Sequence, residues 1–517
     1  MKALLLSIAA IFFLLHGAAA RIGIGDEARV GNFRDFFGSA AADPADGAEA
    51  GILVTLSEMG ISYVREVLVE SVLQDLTPLN LPNVKRRVEW PIGIVDVELK
   101  NIVIVYANVS SSNVDLGNTG IWFNASGVET KVSLDWKYTY TASLIPFPIS
   151  DSGTATAKVN DGDAWLQATM QQKNGTLSIQ VTECNTDLSS LDLELQGGQS
   201  WLYQWFVYAF KGQIQKSVES ALTTQVLAAV SRLNRLLLSL PRQLQVDTTS
   251  AVDVTVVDDP ILNQNYISVG VMGEFVDIAS PSERKHPPKK LPAGLLCIDS
   301  DVKMITVALG DYVITSASDV YYKAGRLERV VDRLPQQSLL NTASWRFLIP
   351  QLYRKFPNDD MLLNLSAASA PRVSFSRDGI RATTTADMTI EVVDNNEIIP
   401  VACISLEVTL HALAEIVGTN ITGEASLLDL SLDLKWSTIG TFPVKFVEVA
   451  TRTILKDVIL PLVNYNLKKG FPLPVIPAIE FQEATIRYED DFLLICTDIR
   501  YTGLPLPPPV APSWSTI

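Results

Sequence analysis

Two kinds of hydrophobic spacing alternate along the chain, and the first is helical. From Ser57 to Thr77, apolar residues recur at every third or fourth position between charged ones, which indicates an amphipathic helix with Ser57 as its N-cap. At a rise of about 1.5 Å per residue, a second helical pattern over 203–240 would reach roughly 57 Å before Pro241 ends it. Further helices are predicted at 311–333, at 345–356 and at 447–469, the last with a kink at Pro461.

The second spacing is an alternation with period two, which is typical of antiparallel strands. Val132, Leu134 and Trp136 alternate with Ser133 and Asp135, so that one face of the strand is apolar and the other meets water. Alternation or a short apolar run also predicts strands at 177–182, 191–196, 251–278, 428–436 and 492–496. Clusters of Asp, Asn, Ser and Gly predict hairpin turns at 151–153, 160–162 and 174–175.

Helix, strands, long helix and strand therefore follow one another twice, which indicates two domains with one topology. The Pro- and charge-rich stretch 280–294 is the predicted linker between an N-terminal domain at 51–279 and a C-terminal domain at 295–502. Residues 21–50 show no sustained period and are predicted to form a flexible lead-in, whereas 503–517 form a Pro-rich tail. A length of 517 residues agrees with more than one domain.

The first residues of the chain predict export. Lys2, an apolar core and a run of alanines ending at Ala20 form the pattern of a secretory signal peptide over 1–20. A membrane anchor is the alternative, but the apolar run is short for a bilayer core of about 30 Å, and no later stretch reaches about 18 unbroken apolar residues. We therefore expect a secreted chain without a transmembrane span, with glycans predicted on the sequons at Asn108, Asn124, Asn174, Asn364 and Asn420.

Composition and charge narrow the range of partners. Hydrophobic residues make up 47% of the chain and the mean hydropathy is +0.21, which fits either an internal apolar cavity or a large two-domain core. The net charge is −16, with 17 Lys and Arg against 30 Asp and Glu in residues 21–281 and 23 against 27 in 282–517. No nucleic acid partner is expected, because binding to phosphates requires a cationic surface.

Little in the sequence indicates covalent chemistry. After the signal peptide only His286, in the linker, and His411, in an apolar strand, remain, and no nucleophile motif accompanies either one. None of the four cysteines is at CxxC spacing, so no zinc site is expected, and three complete disulfide pairings are open. We expect no enzyme activity, no metal and no cofactor, although the 57 acids leave paired-carboxylate hydrolysis open.

Several short motifs occur in a fixed order over about residues 50–502. The clearest are Tyr322-Lys323-Ala324-Gly325, Lys355-Phe356-Pro357-Asn358 and Leu467-Lys468-Lys469-Gly470-Phe471-Pro472-Leu473-Pro474. Together they resemble the family of bactericidal/permeability-increasing protein and lipopolysaccharide-binding protein, and Gly197-Gly198-Gln199-Ser200-Trp201-Leu202-Tyr203-Gln204 is similar to its plant branch. The resemblance implies an elongated α+β molecule of two tubular domains, each a twisted antiparallel sheet wrapped on a long helix, joined by a central sheet.

The resemblance also implies an apolar pocket of phospholipid size in each domain, and hence a bound phospholipid or similar lipid. The candidates for the pocket walls are the inward stripes of the predicted helices, with plain core packing as the alternative: Val64, Leu68, Phe210, Ile214 and Val218 in the first domain, and Val320, Leu327, Leu455 and Val458 in the second. Lys85, Arg86 and Arg87 are candidates for anionic head groups, a solvated turn being the alternative. The disulfide expected near the implied central sheet joins Cys297 to Cys496.

Two departures from the animal members of that family bear on function. Their disulfide between a strand and the long N-terminal helix is not expected here, because Cys184 fits the strand position but 223–227 has no cysteine. Their lipopolysaccharide binding is attributed to a cationic tip of the N-terminal domain, whereas residues 21–281 carry a balance of −13 here. Lipopolysaccharide binding through acyl chains remains open, but direct membrane killing is not expected.

The sequence therefore predicts an extracellular lipid-binding or lipid-transfer protein, with recognition of bacterial lipopolysaccharide in innate immunity left open. The expected partners are phospholipids, and contact with a membrane surface is compatible with this function. One alternative is a protein-interaction module with vestigial pockets, which would expose a large apolar patch. A remote alternative is a secreted hydrolase, which would gather titratable groups in a cleft.

Overall fold

The computed structural model describes residues 47–90, 93–117, 120–142, 147–188, 190–197, 200–279, 288–298, 302–333, 337–418, 420–469, 471–472 and 479–502. The predicted signal peptide, most of the lead-in, residues 280–287 of the linker and the Pro-rich tail lie outside these ranges. The α-helices of the described residues are α1 (Glu58–Leu76), α2 (Ser200–Leu238), α3 (Asp311–Lys323), α4 (Pro350–Lys355), α5 (Val444–Ile454) and α6 (Leu460–Lys469). A π-helical turn (Leu455–Ile459) joins α5 to α6, and two 3-10 turns (Gln337–Leu340 and Thr342–Trp345) precede α4.

The strands are mostly antiparallel hairpin partners, and several are unusually long. They are β1 (Gly47–Glu49), β2 (Ile52–Ser57), β3 (Leu79–Asn80), β4 (Val84–Trp90), β5 (Gly93–Gly117), β6 (Gly120–Ala142), β7 (Ile149–Lys173), β8 (Thr176–Asp187), β9 (Leu191–Gln196), β10 (Gln243–Gln245), β11 (Ser250–Asp253), β12 (Ile261–Asn263), β13 (Tyr266–Val271), β14 (Glu274–Asp277), β15 (Lys290–Pro292), β16 (Ile305–Gly310), β17 (Glu328–Val331), β18 (Asp360–Ala367), β19 (Arg372–Ser376), β20 (Gly379–Asp394), β21 (Glu397–Val417), β22 (Asn420–Ser437), β23 (Phe471–Pro472), β24 (Ile479–Tyr488) and β25 (Phe492–Tyr501).

The chain forms two compact units. The N-terminal unit comprises the described residues of 56–240 and 259–267, and the C-terminal unit those of 47–55, 241–258 and 268–502. One antiparallel sheet forms most of the N-terminal unit, with strand neighbours in the order β3-β5-β6-β7-β8, β4 also on β5 and β9 also on β7. The predicted alternation in β6 is confirmed, since Val132, Leu134 and Trp136 are buried whereas Ser133 and Asp135 are exposed.

Both helices of the N-terminal unit pack on this sheet and on each other. The predicted N-cap of α1 is confirmed, because the backbone N–H of Gly60 donates to the Ser57 hydroxyl at 3.3 Å. Helix α2 has 39 residues, and its side chains Phe210, Ile214 and Val218 are fully buried against the sheet. The long helix predicted from the sequence is therefore present, and it begins three residues earlier than expected, at Ser200.

The C-terminal unit contains a second large antiparallel sheet, with the path β17-β18-β20-β21-β22-β23 and with β19 also on β20. Helices α5 and α6 pack on β22, and α3 packs on β14 and β19. In the same unit β13, β2, β16, β25 and β24 are neighbours in that order. Each unit thus combines antiparallel sheet with packed helices, which confirms the predicted two-domain α+β fold.

A disulfide joins the two cysteines whose pairing was predicted near the implied central sheet. Cys297 and Cys496 are bonded, with their Cα atoms 5.7 Å apart. Both are fully buried in a small hydrophobic cluster with Leu53, Leu291 and Leu494. Cys184 and Cys403 are free thiols, so the expected absence of a strand-to-helix disulfide at Cys184 agrees with the structure.

The change from one unit to the other falls after Leu240 rather than in the predicted linker at 280–294. The strands that follow α2 explain this difference, because β10, β11 and β14 pair with one another and carry α3 on their surface. Residues 241–258 and 268–279 therefore belong to the C-terminal unit. The last residues of the predicted lead-in and of the predicted linker form strands, which was not expected. They are β1 and β15, which pair with Gly47 opposite Pro292.

Three predicted helices differ from the observed ones at their boundaries. The helix predicted at 311–333 ends at Lys323, because the chain turns at Gly325, which has a φ of +66°, and then enters β17. Of the helix predicted at 345–356, only Pro350–Lys355 is α-helical, as α4, and a 3-10 turn ends at Trp345 before it. The irregularity expected at Pro461 takes the form of the π-helical turn just before it.

Two of the three predicted turns lie inside a strand. Residues 151–153 and 160–162 both belong to β7, and only 174–175 forms a hairpin turn. Gly153 has a packing role instead, because a Cβ there would lie 2.7 Å from the indole ring of Trp136 on the neighbouring strand. Asp161 has a φ of +69° beside a register irregularity between β6 and β7, so this turn-like sequence marks a bulge.

Candidate functional site

A small apolar cavity, with room for about one water molecule, lies in the C-terminal unit. Strands β18 and β20, the chain around α4 and helix α5 each contribute to its wall. The lining side chains are Trp345, Ile349, Leu352, Met361, Leu363, Met388, Ile390, Val447, Thr451 and Ile454. Thr451 supplies the single hydroxyl among these ten, so the wall suits hydrocarbon and would strongly disfavour an unpaired charge.

The sheet side of the cavity follows from the alternation of two neighbouring strands. Met361 and Leu363 are two positions apart in β18, so their side chains lie on one face. Leu363 is directly opposite Ile390 of β20, and Met388 lies two positions before Ile390. Because methionine side chains are flexible and polarisable, two of them in the wall allow it to adapt to the shape of a ligand.

The helical side of the cavity is one face of α5. Val447, Thr451 and Ile454 are four and three residues apart, so they lie above one another on the helix, and all three are buried. Trp345 closes another side, and its indole N–H donates to the carbonyl oxygen of Leu339 at 2.9 Å. Since that donor is satisfied, the indole meets the cavity as an apolar surface.

Of the predicted pocket residues of the C-terminal domain, the three whose side chains the structure describes do not form this wall. Val320 and Leu327 are buried in the same hydrophobic cluster as the wall, and Leu455 is half-buried against that cluster. The side chain of Val458 lies outside the described part of the chain. Sequence reasoning missed Met361, Leu363, Met388 and Ile390; strand alternation marks such residues as buried but does not distinguish the wall of a cavity from a filled core.

In the N-terminal unit, the predicted pocket residues fall into two groups. Phe210, Ile214 and Val218 are at most 1% exposed and are packed in the main core between α2 and the sheet. Val64 and Leu68 of α1 are only half-buried. The first group therefore occupies filled core, which was the alternative stated for these residues, whereas the second group leaves apolar surface incompletely covered.

A second hydrophobic cluster of the N-terminal unit is also incompletely covered. It is named here the partly buried cluster, because three of its members are buried (Leu166, Ala168, Ile179) and the others are half-buried (Phe123, Met170, Val181, Cys184, Val226, Val230, Leu233, Leu237). The last four form a stripe along α2 at spacings of four, three and four residues. An apolar stripe that faces apolar strands and stays half-accessible is a second candidate surface for hydrocarbon.

Polar side chains attach β8 to α2 beside the partly buried cluster. The Asn234 amide oxygen accepts from the backbone N–H of Ile179 at 2.9 Å, and the hydroxyls of Thr186 and Thr223 are 2.9 Å apart. These bonds link strand and helix in a region where Cys184 has no partner sulfur. Burial raises the pKa of the Cys184 thiol, so the thiol stays neutral near pH 7.

The basic cluster predicted to meet head groups lies exposed on β4, but acids of β5 accompany it. The ammonium of Lys85 is 2.8 Å from a carboxylate oxygen of Glu98, and the guanidinium of Arg87 is 3.9 Å from Asp96. Hydrogen bonds from Lys100 and then Lys85 lower the pKa of Glu98, which stays ionised. The cluster of Lys85, Arg86 and Arg87 is therefore largely neutralised by its surroundings.

Among the residues that the structure describes, no group of three His, Cys, Asp or Glu side chains could hold a metal ion, and no helix is both long and apolar enough to cross a bilayer. Nε2 of His411 lies 2.8 Å from the carbonyl oxygen of Asp378, so this histidine has a structural partner. Of the five sequons, Asn124 and Asn174 are exposed, and Asn108, Asn364 and Asn420 are half-buried.

Comparison with known proteins gives a consistent result for both units. The sequence model of the LBP / BPI / CETP family, N-terminal domain, matches residues 60–238, and that of the C-terminal domain matches 244–501. The two matches meet near Leu240, where the compact units also change. This agreement supports the boundary seen in the structure over the one predicted from the sequence.

Individual relatives match nearly the whole chain. A BPI/LBP family protein of Arabidopsis thaliana is 37% identical over 449 residues, which cover 87% of this chain and 92% of that protein. The bactericidal permeability-increasing protein of Sebastes schlegelii is 28% identical over 462 residues, 88% of this chain and 96% of that one. The crystal structure of a lipopolysaccharide binding protein superposes with a TM-score of 0.58 at 20% identity, over 88% of this chain and 100% of that one, which indicates a shared fold.

Proposed function

Because the chain belongs to the LBP/BPI/CETP family, we propose that it is a secreted, non-enzymatic lipid-binding protein that holds acyl chains in an apolar site of each unit. The observation that carries this proposal is the almost wholly apolar lining of the cavity in the C-terminal unit. The cavity is small, with room for about one water molecule, so an acyl chain would enter it by displacing flexible side chains such as Met361 and Met388. A family of lipid binders and an apolar cavity wall point to the same function.

The chemistry of the cavity wall agrees with an acyl chain as its occupant. Transfer of one methylene from water into an apolar site contributes about 0.8 kcal/mol, so each methylene that the cavity takes in adds to the affinity. The wall offers a single hydroxyl, from Thr451, and no charged side chain. Head-group recognition is therefore not expected inside the cavity, and the polar end of the lipid would remain at its mouth.

We propose the partly buried cluster, with Val64 and Leu68 of α1, as the corresponding site of the N-terminal unit. Support comes from the stripe of Val226, Val230 and Leu233, which is apolar yet half-accessible. In a filled core this stripe would be fully buried. An acyl chain lying on the half-buried stripe would complete its burial.

Lipopolysaccharide is proposed as a ligand that binds through its acyl chains rather than through its phosphates. The name of one relative with a solved structure states lipopolysaccharide binding. In this chain, however, residues 21–281 hold 17 cations against 30 acids, and Lys85 and Arg87 are ion-paired. Little cationic surface is therefore left for phosphates in residues 21–281.

Native mass spectrometry of the protein secreted from a eukaryotic host tests the function directly. The expected result is a mass increment that dissociates as phospholipid, together with a mature N-terminus near residue 21. A chain that stays lipid-free under gentle ionisation, and takes up no lipid from phosphatidylcholine vesicles, would overturn the proposal. A screen with generic ester and glycoside substrates addresses the hydrolase alternative, and steady turnover there would contradict the non-enzymatic assignment.

A matched pair of variants tests whether the cavity is the site. Ile390→Trp places an indole in the cavity, so we expect the lipid increment of the C-terminal unit to be lost. Glu391→Trp adds the same bulk one position later, on the opposite face of β20, and should keep the lipid. Equal lipid content in the two variants would show that the cavity does not hold the lipid.

A further inference from the structure

A basic and aromatic segment borders the cavity of the C-terminal unit. Between Asp332 and Asp359 the sequence has no acid, although the chain as a whole carries 57 acids and a net charge of −16. Residues 345–355 are named here the rim segment. Trp345, Ile349 and Leu352 of this segment line the cavity, and all three are buried.

One side chain of the rim segment points away from the cavity into solvent. Phe347 lies between the wall residues Trp345 and Ile349, and it is 79% exposed. The guanidinium carbon of Arg346 lies 4.5 Å from the centre of its ring. An exposed phenyl ring is not stabilised by burial in the fold, so this side chain is free to enter an apolar environment outside the protein.

Among the described residues, the cations of the rim segment lack the acidic partners that accompany the basic cluster on β4. Arg346, Arg354 and Lys355 are all exposed. Within the described part of the chain, no carboxylate forms an ion pair with any of the three, whereas Lys85 and Arg87 have acids as partners. The rim segment is therefore a local cationic surface on an acidic molecule.

We propose that the rim segment docks onto the surface of an anionic phospholipid bilayer. Phe347 enters the boundary between head groups and acyl chains, where aromatic side chains are favoured. Arg346, Arg354 and Lys355 meet the lipid phosphates, with which a guanidinium forms paired hydrogen bonds. Since Trp345 and Ile349, two positions before and after Phe347, line the cavity, docking places the cavity wall against the membrane from which a lipid would enter.

A bilayer fits this surface better than a protein partner does. A stable protein interface buries about 800 Å² on each side and has a broad apolar centre. The rim segment instead presents one exposed ring with Arg346 over it, together with the exposed cations Arg354 and Lys355, which matches the apolar interior and anionic surface of a membrane. Docking to a membrane is a function separate from lipid binding in the cavity, and either can be lost without the other.

Co-sedimentation of the full-length secreted protein with vesicles tests the proposal. Wild type should bind vesicles of phosphatidylcholine and phosphatidylglycerol, and bind much more weakly to phosphatidylcholine alone. Phe347→Ser should lower the partition coefficient on anionic vesicles by about tenfold. Replacing Arg346, Arg354 and Lys355 by Gln together should lower it on the order of a hundredfold, at roughly fivefold per cation.

Matched variants elsewhere show whether the effect belongs to this surface. Phe147→Ser removes a phenyl ring that is 75% exposed in the N-terminal unit, and Lys85→Gln removes a cation that is ion-paired; both should leave binding unchanged. Bound lipid measured by native mass spectrometry should stay the same in the Phe347 variant, so a failure of docking is distinguishable from a failure of lipid holding. Wild type that binds neither vesicle, as a protein-docking face would predict, or equal losses for Phe347→Ser and Phe147→Ser, would overturn the proposal.

Discussion

At the scale of single residues, the two helices of the N-terminal unit meet through a largely buried ion pair. The guanidinium of Arg232 on α2 donates to the carboxylate of Asp75 on α1, with 6% and 23% of the two side chains exposed. Removing charges from water is costly, so each partner depends on the other. The sequence places these residues 157 positions apart, and no local pattern connects them, so this contact was not predictable, whereas the Ser57 cap was.

The first prediction concerns this pair. Asp75→Ala leaves the Arg232 guanidinium buried without its counter-ion and should lower the free energy of unfolding by about 3–5 kcal/mol. The double variant Asp75→Ala with Arg232→Met removes both charges and should recover most of that loss. Urea unfolding followed by circular dichroism measures both, and a double variant no more stable than Asp75→Ala would contradict the role assigned to the pair.

A second prediction at this scale concerns alkaline pH. The hydrogen bond that Lys303 donates to Asp498 at 2.7 Å, together with a weaker contribution from Glu483, raises the pKa of the lysine, and burial offsets this in part. A raised pKa means that the stabilisation is fully present below the unfolded value of about 10.4 and is lost as the pH rises through the folded value. Lys303→Met should therefore show a smaller fall in Tm above about pH 10 than wild type, and parallel profiles would refute this.

At the scale of elements, an asparagine attaches a helix to one strand of the sheet in each unit. Asn234 of α2 accepts from the backbone N–H of Ile179 in β8. Asn464 of α6 accepts from the backbone N–H of Ala425 in β22 at 2.8 Å and donates to the carbonyl oxygen of the same residue at 2.9 Å. The side-chain amide thus forms the two hydrogen bonds that a residue of a neighbouring strand would form. These bonds fix the position of the helix along the strand.

The third prediction tests this attachment. Asn464→Ala leaves the N–H and carbonyl of Ala425 without their partners, and it should cost about 1–3 kcal/mol because Ala425 is only 3% exposed. Asn464→Asp keeps the acceptor but loses the donor, and it should also be destabilising. Lys468→Ala on the exposed side of α6 is the control, and a comparable loss in that variant would argue against a specific attachment.

Elements with a long run of regular hydrophobic spacing were predicted correctly, but their boundaries were not. The 39 residues of α2 and the alternation of β6 dominate their windows, so local spacing was sufficient there. The end of α3 and the interior of β7 depend on partners distant in the chain. Around Gly153 the sequence resembles a turn, but the residue lies in strand β7, where the ring of Trp136 on the neighbouring strand leaves no room for a Cβ. That contact is visible only in the tertiary structure.

At the scale of the whole molecule, the repeated order of elements correctly indicated two domains of one class. The position of their boundary depended on which strands pair after α2, and pairing is a non-local property, so the Pro-rich stretch at 280–294 was a misleading signal. The candidate sites show the same limit. Helical stripes identified buried residues such as Phe210 and Val320, but a cavity arises where neighbouring side chains fail to fill space, and one element alone does not reveal that.

The last prediction follows from the two proposed sites. The cavity is lined by residues of the C-terminal unit and the partly buried cluster by residues of the N-terminal unit, so blocking one should leave the other occupied. Wild type should retain two lipids in native mass spectra, Ile390→Trp and Val230→Trp should each retain one, and the double variant none. Lys216→Trp, on an exposed position of α2, should keep both. Loss of both lipids in either single variant would mean one shared site, and two lipids in Val230→Trp would remove the cluster from the proposal.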